Sequence, residues 1–307
     1  MRLVADIGGT NARLALCKDG AIVPQTVRNF SNDDWAHLYD IVSAYLKEHA
    51  PVPLDDMVVA VAGPVHGDRA VLTNRKWTIL KTELLQRFGC KHVVLVNDLS
   101  ALGYAVPSML PTQLRRIFNG PALPSKNGQS LVVGIGTGFN VSPVSSTPNG
   151  VHCLAVEAGH ISMPKDVSEM LKAIGHSPDL FPTIETLFSG RGLTLFCQQV
   201  AGDDTLLGTT AIQSYKASSN SAISNAVDHY AALIGQLLRD LSLAYMPTSG
   251  VYLAGSVARA VVNTSAARLV GVFAQPCDIL LARTPSLFTI EDEFAALYGC
   301  AAYDPRL

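Results

Sequence analysis

The sequence feature that most restricts the fold is a glycine-rich turn near the N-terminus, which lies between two apolar runs. Residues 3–5 are apolar, residues 6–13 read Asp-Ile-Gly-Gly-Thr-Asn-Ala-Arg, and the apolar run Leu-Ala-Leu follows directly. In Walker and Rossmann loops such a turn leads from a strand into a helix. Because the apolar pattern resumes at once here, the sequence predicts a β-hairpin, and the chain is restricted to folds that open with a glycine turn joining two strands.

An acidic residue and two glycines at the end of a buried strand can bind a phosphate group. The backbone N–H groups of such a turn approach phosphate oxygens, while the carboxylate of Asp6 holds a hydrated Mg²⁺. A second glycine turn, residues 134–140, follows an apolar run at 131–133. Two such turns about half a chain apart could clamp a nucleotide between two domains. For each turn taken alone, an ordinary glycine hairpin remains the alternative.

Apolar runs between turn residues predict buried strands, and amphipathic stretches between them predict helices. The predicted strands are residues 3–5, 57–62, 93–96, 131–135, 251–254 and 279–282. The predicted helices are residues 35–46, with Ser31, Asn32 and Asp33 as capping candidates, residues 223–241, and a last helix after Thr289 with Asp292 in a weak capping box. Strands that alternate with helices predict layered α/β architecture.

Prolines and glycines interrupt both periodicities between residues 105 and 130. Such a stretch predicts the boundary between two domains. Residues 142–150 are rich in Ser, Pro and Asn, and we expect them to form an exposed loop.

The composition favours a folded protein that binds a small molecule. The 23 Lys and Arg residues against 25 Asp and Glu give a formal charge of −2, so the chain lacks the basic field that would make nucleic acid the expected partner. The six cysteines are scattered without CxxC pairs, which indicates reduced thiols. Residues 127–156 carry no charge but are too polar to span a membrane, and Asp6 interrupts any signal-peptide core. We therefore expect a cytoplasmic protein with no nucleic-acid or membrane partner.

A third candidate element is the pair Asn97-Asp98, which follows the apolar run at 93–96. An aspartate at the end of a strand can accept the proton of an attacking hydroxyl, provided that it lies within hydrogen-bond reach and is ionised near neutral pH. The alternative is a helix cap, because Asn and Asp both cap readily. The residues alone leave both interpretations open.

A fourth element consists of Glu157, His160 and Glu185. Sugar hydroxyls donate and accept hydrogen bonds, so a polyhydroxyl ligand needs acceptors held in fixed directions. A structural histidine and a solvated helix acid are the alternatives for His160 and Glu185. Asn74 offers an amide for a sugar hydroxyl, and we assign the nearby Trp77 to the core.

The predicted strand at 251–254 ends in Gly255 and Ser256. Small residues there permit close passage of a flat group such as adenine. A tight strand-to-helix turn with Ser256 as the cap is the alternative.

Taken together, these motifs resemble the bacterial-type glucokinases, a group of sugar kinases. The matching segments are residues 6–16, 63–64, 73–77, 97–98, 136–138, 157–160, 185, 189–190 and 254–255. The resemblance implies an α/β fold with two domains, of the actin-like, hexokinase-like (ribonuclease H-like) type, with an interdomain cleft. It assigns residues 1–108 to a small domain, completed by a C-terminal helix at 290–307, and residues 109–289 to a large domain.

The resemblance also implies the activity: a cytoplasmic homodimer that uses ATP and Mg²⁺ to convert D-glucose to glucose 6-phosphate. On that template Asp98 is the general base, and Asp6 orients Mg²⁺ through water. The residues implied to bind glucose are Asn74, Asn97, Asp98, Glu157, His160 and Glu185. The residues implied to bind the nucleotide are Asp6, Gly8, Gly9, Thr10, Asn11, Gly136, Thr137, Gly138 and Gly255.

The chain departs from the family pattern where Asn140 and Ser256 stand in place of glycine. Asn tolerates the left-handed backbone region better than most residues, so we expect the turn at Asn140 to survive and nucleotide affinity to be altered. Ser256 is expected to cap the following helix. A sibling sugar-kinase group carries a cysteine-rich zinc motif after its histidine, but Ile-Ser-Met-Pro follows His160 here. A non-catalytic sugar sensor, or an actin-like nucleotide-dependent protein on the same fold, remains the alternative function.

Overall fold

The computed structural model describes residues 1–49, 54–72, 75–121, 126–216, 221–276 and 284–304. The chain divides into two compact units. The first consists of Met1–Met109, Ser146–Cys153 and Asp292–Leu307, and the second of Leu110–Ser145 and Leu154–Glu291. Residues 146–153, which the sequence assigns to the large domain, group with the first unit. The strand predicted at 279–282 lies outside the described residues.

The helices and strands follow one another in a mixed α/β order. The strands are β1 (Arg2–Ile7), β2 (Asn11–Lys18), β3 (Ala21–Ile22), β4 (Arg28–Ser31), β5 (Asp56–Val61), β6 (Val65–His66), β7 (Arg69–Val71), β8 (Thr78–Leu80), β9 (His92–Asn97), β10 (Leu114–Phe118), β11 (Gln129–Ile135), β12 (Phe139–Thr147), β13 (Gly150–Cys153), β14 (Gly250–Ala254) and β15 (Leu287–Ile290). The α-helices are α1 (Leu38–Glu48), α2 (Lys81–Phe88), α3 (Asp98–Ala105), α4 (Lys165–Ala173), α5 (Ile184–Leu187), α6 (Gly190–Ala201), α7 (Gly208–Gln213), α8 (Ser221–Tyr245), α9 (Ser256–Phe273) and α10 (Ala295–Ala302).

The first unit is built around a mixed sheet whose strand order is β3-β2-β1-β5-β9, with β4 also paired to β2. Strands β1 and β2 form an antiparallel hairpin, and β1, β5 and β9 are parallel. Side chains of β1 alternate between the two faces. Leu3 and Ile7 pack in the same cluster as Ile41 of α1, whereas Val4 packs in a cluster with Ala101 of α3 and Leu297 of α10. Both faces of the parallel part of the sheet are therefore covered, as buried apolar strands require.

The second unit contains the strands β10, β15, β14, β11 and β12, which neighbour one another in that order in one sheet. Strands β11 and β12 form an antiparallel hairpin, and β11, β14 and β15 are parallel. The main core lies between this sheet and the helices, and it includes the fully buried side chains of Tyr230 in α8 and Phe273 in α9. The predicted helix at 223–241 lies within α8, whose buried face carries the periodic apolar residues from Val227 to Leu241.

Both units use the same strand arrangement. In each, a hairpin is followed by two strands parallel to its first strand: β2-β1-β5-β9 in the first unit and β12-β11-β14-β15 in the second. Each sheet is packed with helices, so the predicted α/β class is confirmed. Among the described residues, no helix combines the length and apolar character needed to cross a bilayer.

The predicted caps of two helices were wrong. Helix α1 is capped by the side chain of His37, which accepts from the Tyr39 N–H in a capping box with Asp40, rather than by Ser31, Asn32 or Asp33. Thr289 lies in strand β15, and it is the carboxylate of Asp292 that accepts a hydrogen bond from the Phe294 N–H just before α10. Thr289 cannot cap this helix because it is paired with Leu253 of β14 in the sheet.

The expected exposed loop at 142–150 is mostly strand. Residues 142–147 belong to β12, residues 142–145 pair with β11, and Ser142 and Val144 are buried. Ser and Pro favour turns in isolation, but here the pairing of the hairpin outweighs that preference.

Candidate active site

The glycine hairpin of the first unit forms as predicted between β1 and β2. The Gly8 N–H donates to the Asn11 carbonyl at 2.9 Å, which closes the turn. A Cβ added at Gly8 would lie 3.3 Å from that carbonyl oxygen, so the turn has little room for a side chain. Thr10 is exposed, and Gly8, Gly9 and Asn11 are partly buried. The turn therefore presents backbone to its surroundings, as phosphate binding requires.

Three successive carbonyl oxygens of this hairpin are hydrogen-bonded from two distant segments of the unit. Buried Asn32 donates from its side-chain amide to the Gly8 oxygen at 2.8 Å and from its backbone N–H to the Thr10 oxygen at 2.8 Å. Arg75 donates from Nε to the Gly9 oxygen at 2.7 Å. These three bonds hold the carbonyl oxygens of Gly8, Gly9 and Thr10 against Asn32 and Arg75. The negative ends of the three peptide dipoles are therefore fixed toward these residues. Arg75 is itself held by the Asn32 carbonyl at 3.1 Å and by the Asp33 carboxylate.

Asp6 lies near the carboxyl end of β1 and is paired with the guanidinium of Arg13. The distance from Arg13 Nη1 to Asp6 Oδ2 is 3.3 Å, and Arg13 also lies 3.7 Å from Glu293. Burial raises the pKa of Asp6, and the charge of Arg13 opposes that shift. Asp6 thus has a cationic partner on one side, while its remaining oxygen positions could accept hydrogen bonds from water.

Asp98 is the first residue of α3, directly after β9. Asn97 is the N-cap, and its Oδ1 accepts from the Leu99 N–H at 3.0 Å while its Nδ2 donates to the Gly63 carbonyl at 3.1 Å. Asp98 Oδ1 also accepts from the Leu99 N–H, at 2.9 Å. Asn97 therefore provides the helix cap that the sequence offered as the alternative, and the Leu99 N–H, which Asn97 and Asp98 share, orients the carboxyl group of Asp98.

The pKa of Asp98 is raised to about 6, first by burial of the carboxyl group and then by the like charge of Asp6. Strands β1 and β9 lie on either side of β5 with their carboxyl ends at the same sheet edge, which puts the two strands roughly 10 Å apart and brings both carboxylates to that edge. A carboxyl group with a pKa near 6 is ionised at neutral pH, yet it is more basic than an ordinary aspartate. Asp98 therefore has the properties of a general base.

The second unit holds a corresponding glycine turn between β11 and β12. The Gly136 N–H donates to the Gly138 carbonyl at 3.0 Å, and the Gly190 N–H at the start of α6 donates to the Gly136 carbonyl at 2.8 Å. Gly255, the N-cap of α9, lies against the same turn with a φ of +94°, and a Cβ there would lie 2.3 Å from the Ile135 oxygen. Only glycine fits that position. The starts of α6 and α9 thus meet the turn formed by Gly136, Thr137 and Gly138, and helix N-termini favour anions.

Glu185 lies beside this turn. Its Oε2 accepts a hydrogen bond from the Phe139 N–H at 2.9 Å, and a Cβ added at Gly138 would lie 2.6 Å from the same oxygen. The exposed side chain of Arg191 approaches the other oxygen at 3.8 Å. Glu185 is therefore not a freely solvated helix acid, because its carboxylate is held between the glycine turn and α6.

Glu157 and His160 lie on one short 3-10 helix, Ala158–His160, for which Glu157 is the N-cap residue. Both side chains are exposed. A Cβ added at Gly159 would lie 3.3 Å from the Glu185 Cβ, so the helix packs against the backbone that carries Glu185. The structure brings Glu157, His160 and Glu185 together within the second unit.

The backbone positions expected for Asn140 and Ser256 were wrong, whereas the altered nucleotide affinity expected from them stays a prediction. Asn140 is an extended strand residue of β12, paired with Gly134, and not a turn residue in the left-handed region. Its side chain donates to Glu157 Oε2 at 3.2 Å, so it contacts one of the residues predicted to bind sugar hydroxyls. Ser256 is the first residue inside α9 and not its cap, because Gly255 takes the N-cap position.

Two further residues singled out in the sequence are Asn74 and Trp77. Asn74 lies outside the described residues. Trp77 is 6% exposed in the core of the first unit, as predicted. Sequence reasoning missed the contacts that Asn32 and Arg75 make with the first glycine hairpin and those that Asn140 makes with residues 156–158. These contacts join segments far apart in the chain and have no local signal in the sequence.

No group of three or more His, Cys, Asp or Glu side chains within the described ranges is arranged to hold a metal ion directly. Magnesium commonly keeps several waters and binds through one or two carboxylates and substrate phosphates. Asp6, with Asp98 at the same sheet edge, is a donor set of that kind. The residues therefore fit a hydrated Mg²⁺ rather than a cage made by protein alone.

The chain is similar to known proteins in both sequence and fold. A family model described as Glucokinase matches residues 3–304. The glucokinase of Caulobacter sp. (strain K31) is 30% identical over 274 residues, which cover 85% of this chain and 81% of that protein. The crystal structure of a glucokinase from an Antarctic psychrotroph has a TM-score of 0.82 at 26% identity and covers 98% of this chain and 97% of that chain. A ROK family glucokinase from Streptomyces griseus, in complex with glucose and AMPPNP, has a TM-score of 0.62 at 17% identity and covers 98% and 97%.

The fold is thus that of the actin-like, hexokinase-like sugar kinases, with a glycine hairpin in each unit. Within that class, the chain belongs to the glucokinase family.

Proposed function

We propose that this chain transfers the γ-phosphoryl group of ATP to the 6-hydroxyl of D-glucose, giving glucose 6-phosphate and ADP. The observation that carries the proposal is Asp98, an oriented carboxyl group with a pKa of about 6 at the carboxyl end of β9. Family membership over residues 3–304 and the glucose and AMPPNP bound to the Streptomyces griseus protein support it.

In the proposed reaction, Asp98 accepts the proton of the 6-hydroxyl as the sugar oxygen attacks phosphorus. The new bond joins the sugar oxygen to the γ-phosphorus, the bond from that phosphorus to the β,γ-bridging oxygen breaks, and ADP leaves. Phosphoryl transfer needs little covalent chemistry from the protein, so alignment and charge stabilisation supply most of the rate. The hydrogen bond from the Leu99 N–H to Asp98 Oδ1 supports this role because it limits the directions in which the carboxyl group can point.

Glucose would be held by acceptors with fixed directions. Glu157, His160 and Glu185 would bind ring hydroxyls, and Asn97 has acceptor capacity left on Oδ1. Asn74 remains a further candidate. The bond from the Phe139 N–H holds Glu185 at a fixed angle, and such directional acceptors suit a hydroxyl-rich ring.

The nucleotide would bind at the two glycine turns. Residues Gly8, Gly9, Thr10 and Asn11 of the first turn, and Gly136, Thr137 and Gly138 of the second, would approach phosphate oxygens, and Gly255 would flank the adenosine. Asp6 would hold Mg²⁺ through water. When bound, Mg²⁺ neutralises charge on the transferring phosphoryl group.

A coupled assay that measures ADP release with purified protein, ATP and Mg²⁺ tests the proposal. Glucose should stimulate release, and D98N should abolish it while glucose still binds in calorimetric titration. If glucose, mannose, fructose and glucosamine all fail to stimulate release, the proposed activity is wrong. Glucose binding without turnover would indicate a sugar sensor, and nucleotide turnover without sugar binding would indicate an actin-like protein.

A cytoplasmic homodimer is part of this proposal and rests on the family resemblance alone. Light scattering of the purified chain tests the dimer, and fractionation of the native cells tests the location.

A further inference from the structure

The side chain of Asn140 uses its whole hydrogen-bonding capacity on two short segments. Its Nδ2 donates to the Val156 carbonyl at 2.7 Å and to Glu157 Oε2 at 3.2 Å. Its Oδ1 accepts from the Ala158 N–H at 3.0 Å and from the Val141 N–H at 2.8 Å. A primary amide offers two donor hydrogens and two acceptor lone pairs. All four are engaged here.

Three of these bonds go to residues 156–158, which have neither helix nor strand structure until the 3-10 helix begins at Ala158. That short helix carries Glu157 at its cap and His160 at its end. Asn140 is in turn anchored, because residues 139–145 of β12 pair with residues 129–135 of β11. A rigid sheet residue therefore fixes the position of a segment that has no ladder of its own.

The bond to Glu157 has a separate consequence. Glu157 is exposed, and a free glutamate side chain samples several rotamers whose loss costs binding free energy. The donor from Asn140 engages one carboxylate oxygen and leaves the other, with the remaining lone pair of the first, for a ligand. The restriction is made in advance of binding, so it lowers the cost of ordering this side chain on a sugar hydroxyl.

We infer that Asn140 is a positioning residue for the sugar, which holds the Glu157 carboxylate and the turn bearing His160 in the orientation that binds glucose. This inference rests on the proposed function and assigns Asn140 to sugar affinity, in place of the nucleotide affinity expected from the sequence. Asn140 acts through Glu157 and the 156–158 backbone.

N140D is the most selective variant. It keeps the shape and the acceptor oxygen for the N–H groups of Val141 and Ala158, but it loses both donors and places a carboxylate beside Glu157. We expect the KM for glucose to rise about 5- to 30-fold, the range that corresponds to loss of one or two hydrogen bonds. The KM for ATP should stay within about twofold, since Asn140 bonds neither glycine turn. N140A, which removes all four bonds without adding a charge, should act in the same direction.

A double-mutant cycle with E157Q gives a readout that general destabilisation would not move. In N140D/E157Q the amide at 157 can donate to the carboxylate at 140, which restores one bond with its direction reversed. The double variant should therefore lose less glucose affinity than the sum of the single variants. Asn149→Asp provides a matched control: it makes the same chemical change in the turn after β12, away from residues 156–158, and should leave both KM values unchanged.

Glucose affinity by calorimetry without nucleotide, together with both KM values, decides the matter. An unchanged glucose KM in both N140D and N140A, a rise in the KM for ATP instead, or strict additivity in the cycle would overturn the inference. Melting temperatures near that of wild type show that the variants are folded. If N140D is unfolded, N140A and the double-mutant cycle of N140A with E157Q provide the same test. A wild-type enzyme without hexose-dependent turnover would overturn the proposed function and this inference together, whereas active wild type with unaffected variants would overturn the inference alone.

Discussion

Asp98 is expected to lower the stability of the unliganded fold, and D98N to raise it. The pKa of Asp98 is about 6 in the folded chain and near 4 in an unfolded chain. Because the folded pKa is the higher one, protonation favours the folded state: this contribution is complete below pH 4 and is lost as the pH rises through about 6.

The size of the effect follows from the two pKa values. Each pH unit between them is worth about 1.4 kcal/mol, so ionised Asp98 costs the folded state about 3 kcal/mol at pH 8 and about 1.5 kcal/mol at pH 5. The side chain is only partly buried, and contact with solvent reduces these values, so we expect a gain of about 1.5 to 3 kcal/mol for D98N at pH 8. Asparagine keeps the acceptor for the Leu99 N–H, so the helix cap is preserved.

The assay is thermal unfolding of wild type and D98N between pH 5 and pH 8, with EDTA present and no ligands. D98N should melt higher at pH 8, and the difference should shrink by about half at pH 5. D55N is the control of opposite sign: Lys91 and the N-terminal amine lower the pKa of Asp55 to about 2. Its contribution to stability is present above pH 4 and is lost only as the pH falls through about 2, so D55N should show no gain and no pH dependence over this range. A D98N variant that melts lower than wild type at pH 8, or a gain independent of pH, would refute the reasoning.

Three further predictions follow from charges and glycine contacts. The kcat/KM for glucose should fall below about pH 6, because Asp98 must be ionised to accept a proton. D6N should move this acid limb of the pH–rate profile to lower pH, since the like charge of Asp6 raises the pKa of Asp98. An acid limb at the same pH in D6N would contradict that cause. Gly138→Ala should raise the KM for glucose by about tenfold or more, because the added Cβ would lie 2.6 Å from Glu185 Oε2 and displace that carboxylate. Gly271→Ala is the matched control, since a Cβ there meets nothing within 4 Å. Gly299→Ala should destabilise the first unit by about 3 kcal/mol or more, because the added Cβ on α10 would lie 1.7 Å from the Ala101 carbonyl oxygen of α3. A melting temperature equal to that of Gly271→Ala would contradict the close packing of these two helices.

Local patterns along the chain were sufficient to predict the β1–β2 hairpin and the helix within α8. In both cases the information lies in neighbouring residues: an apolar run that resumes after two glycines, and buried residues at helical spacing. Thr289 and residues 142–147 were misassigned because strand pairing decides their conformation, and pairing involves partners far away in sequence.

The same limit applies to the candidate site. Asp6, Asp98, Gly136 and Gly255 could be found because each follows an apolar run, which is a local signal. The bonds from Asn32 and Arg75 to the hairpin carbonyls, and from Asn140 to residues 156–158, had no local signal. Asn140 was judged by its neighbours in the glycine turn, whereas its contacts are set by the strand that it enters.

The repeated strand order explains why a local signal places these candidate residues at the same edge of each sheet. In each unit the first strand of the hairpin and the two strands that follow are parallel, so their carboxyl ends lie at one edge of the sheet. Asp6 and Asp98 take this edge in the first unit, and Gly136 and Gly255 take it in the second. Ligands of open α/β sheets bind outside the carboxyl ends of strands. A polar or glycine residue at the end of an apolar run is therefore placed at the binding edge by topology alone, whereas the residues that fix its orientation come from wherever the rest of the fold supplies them.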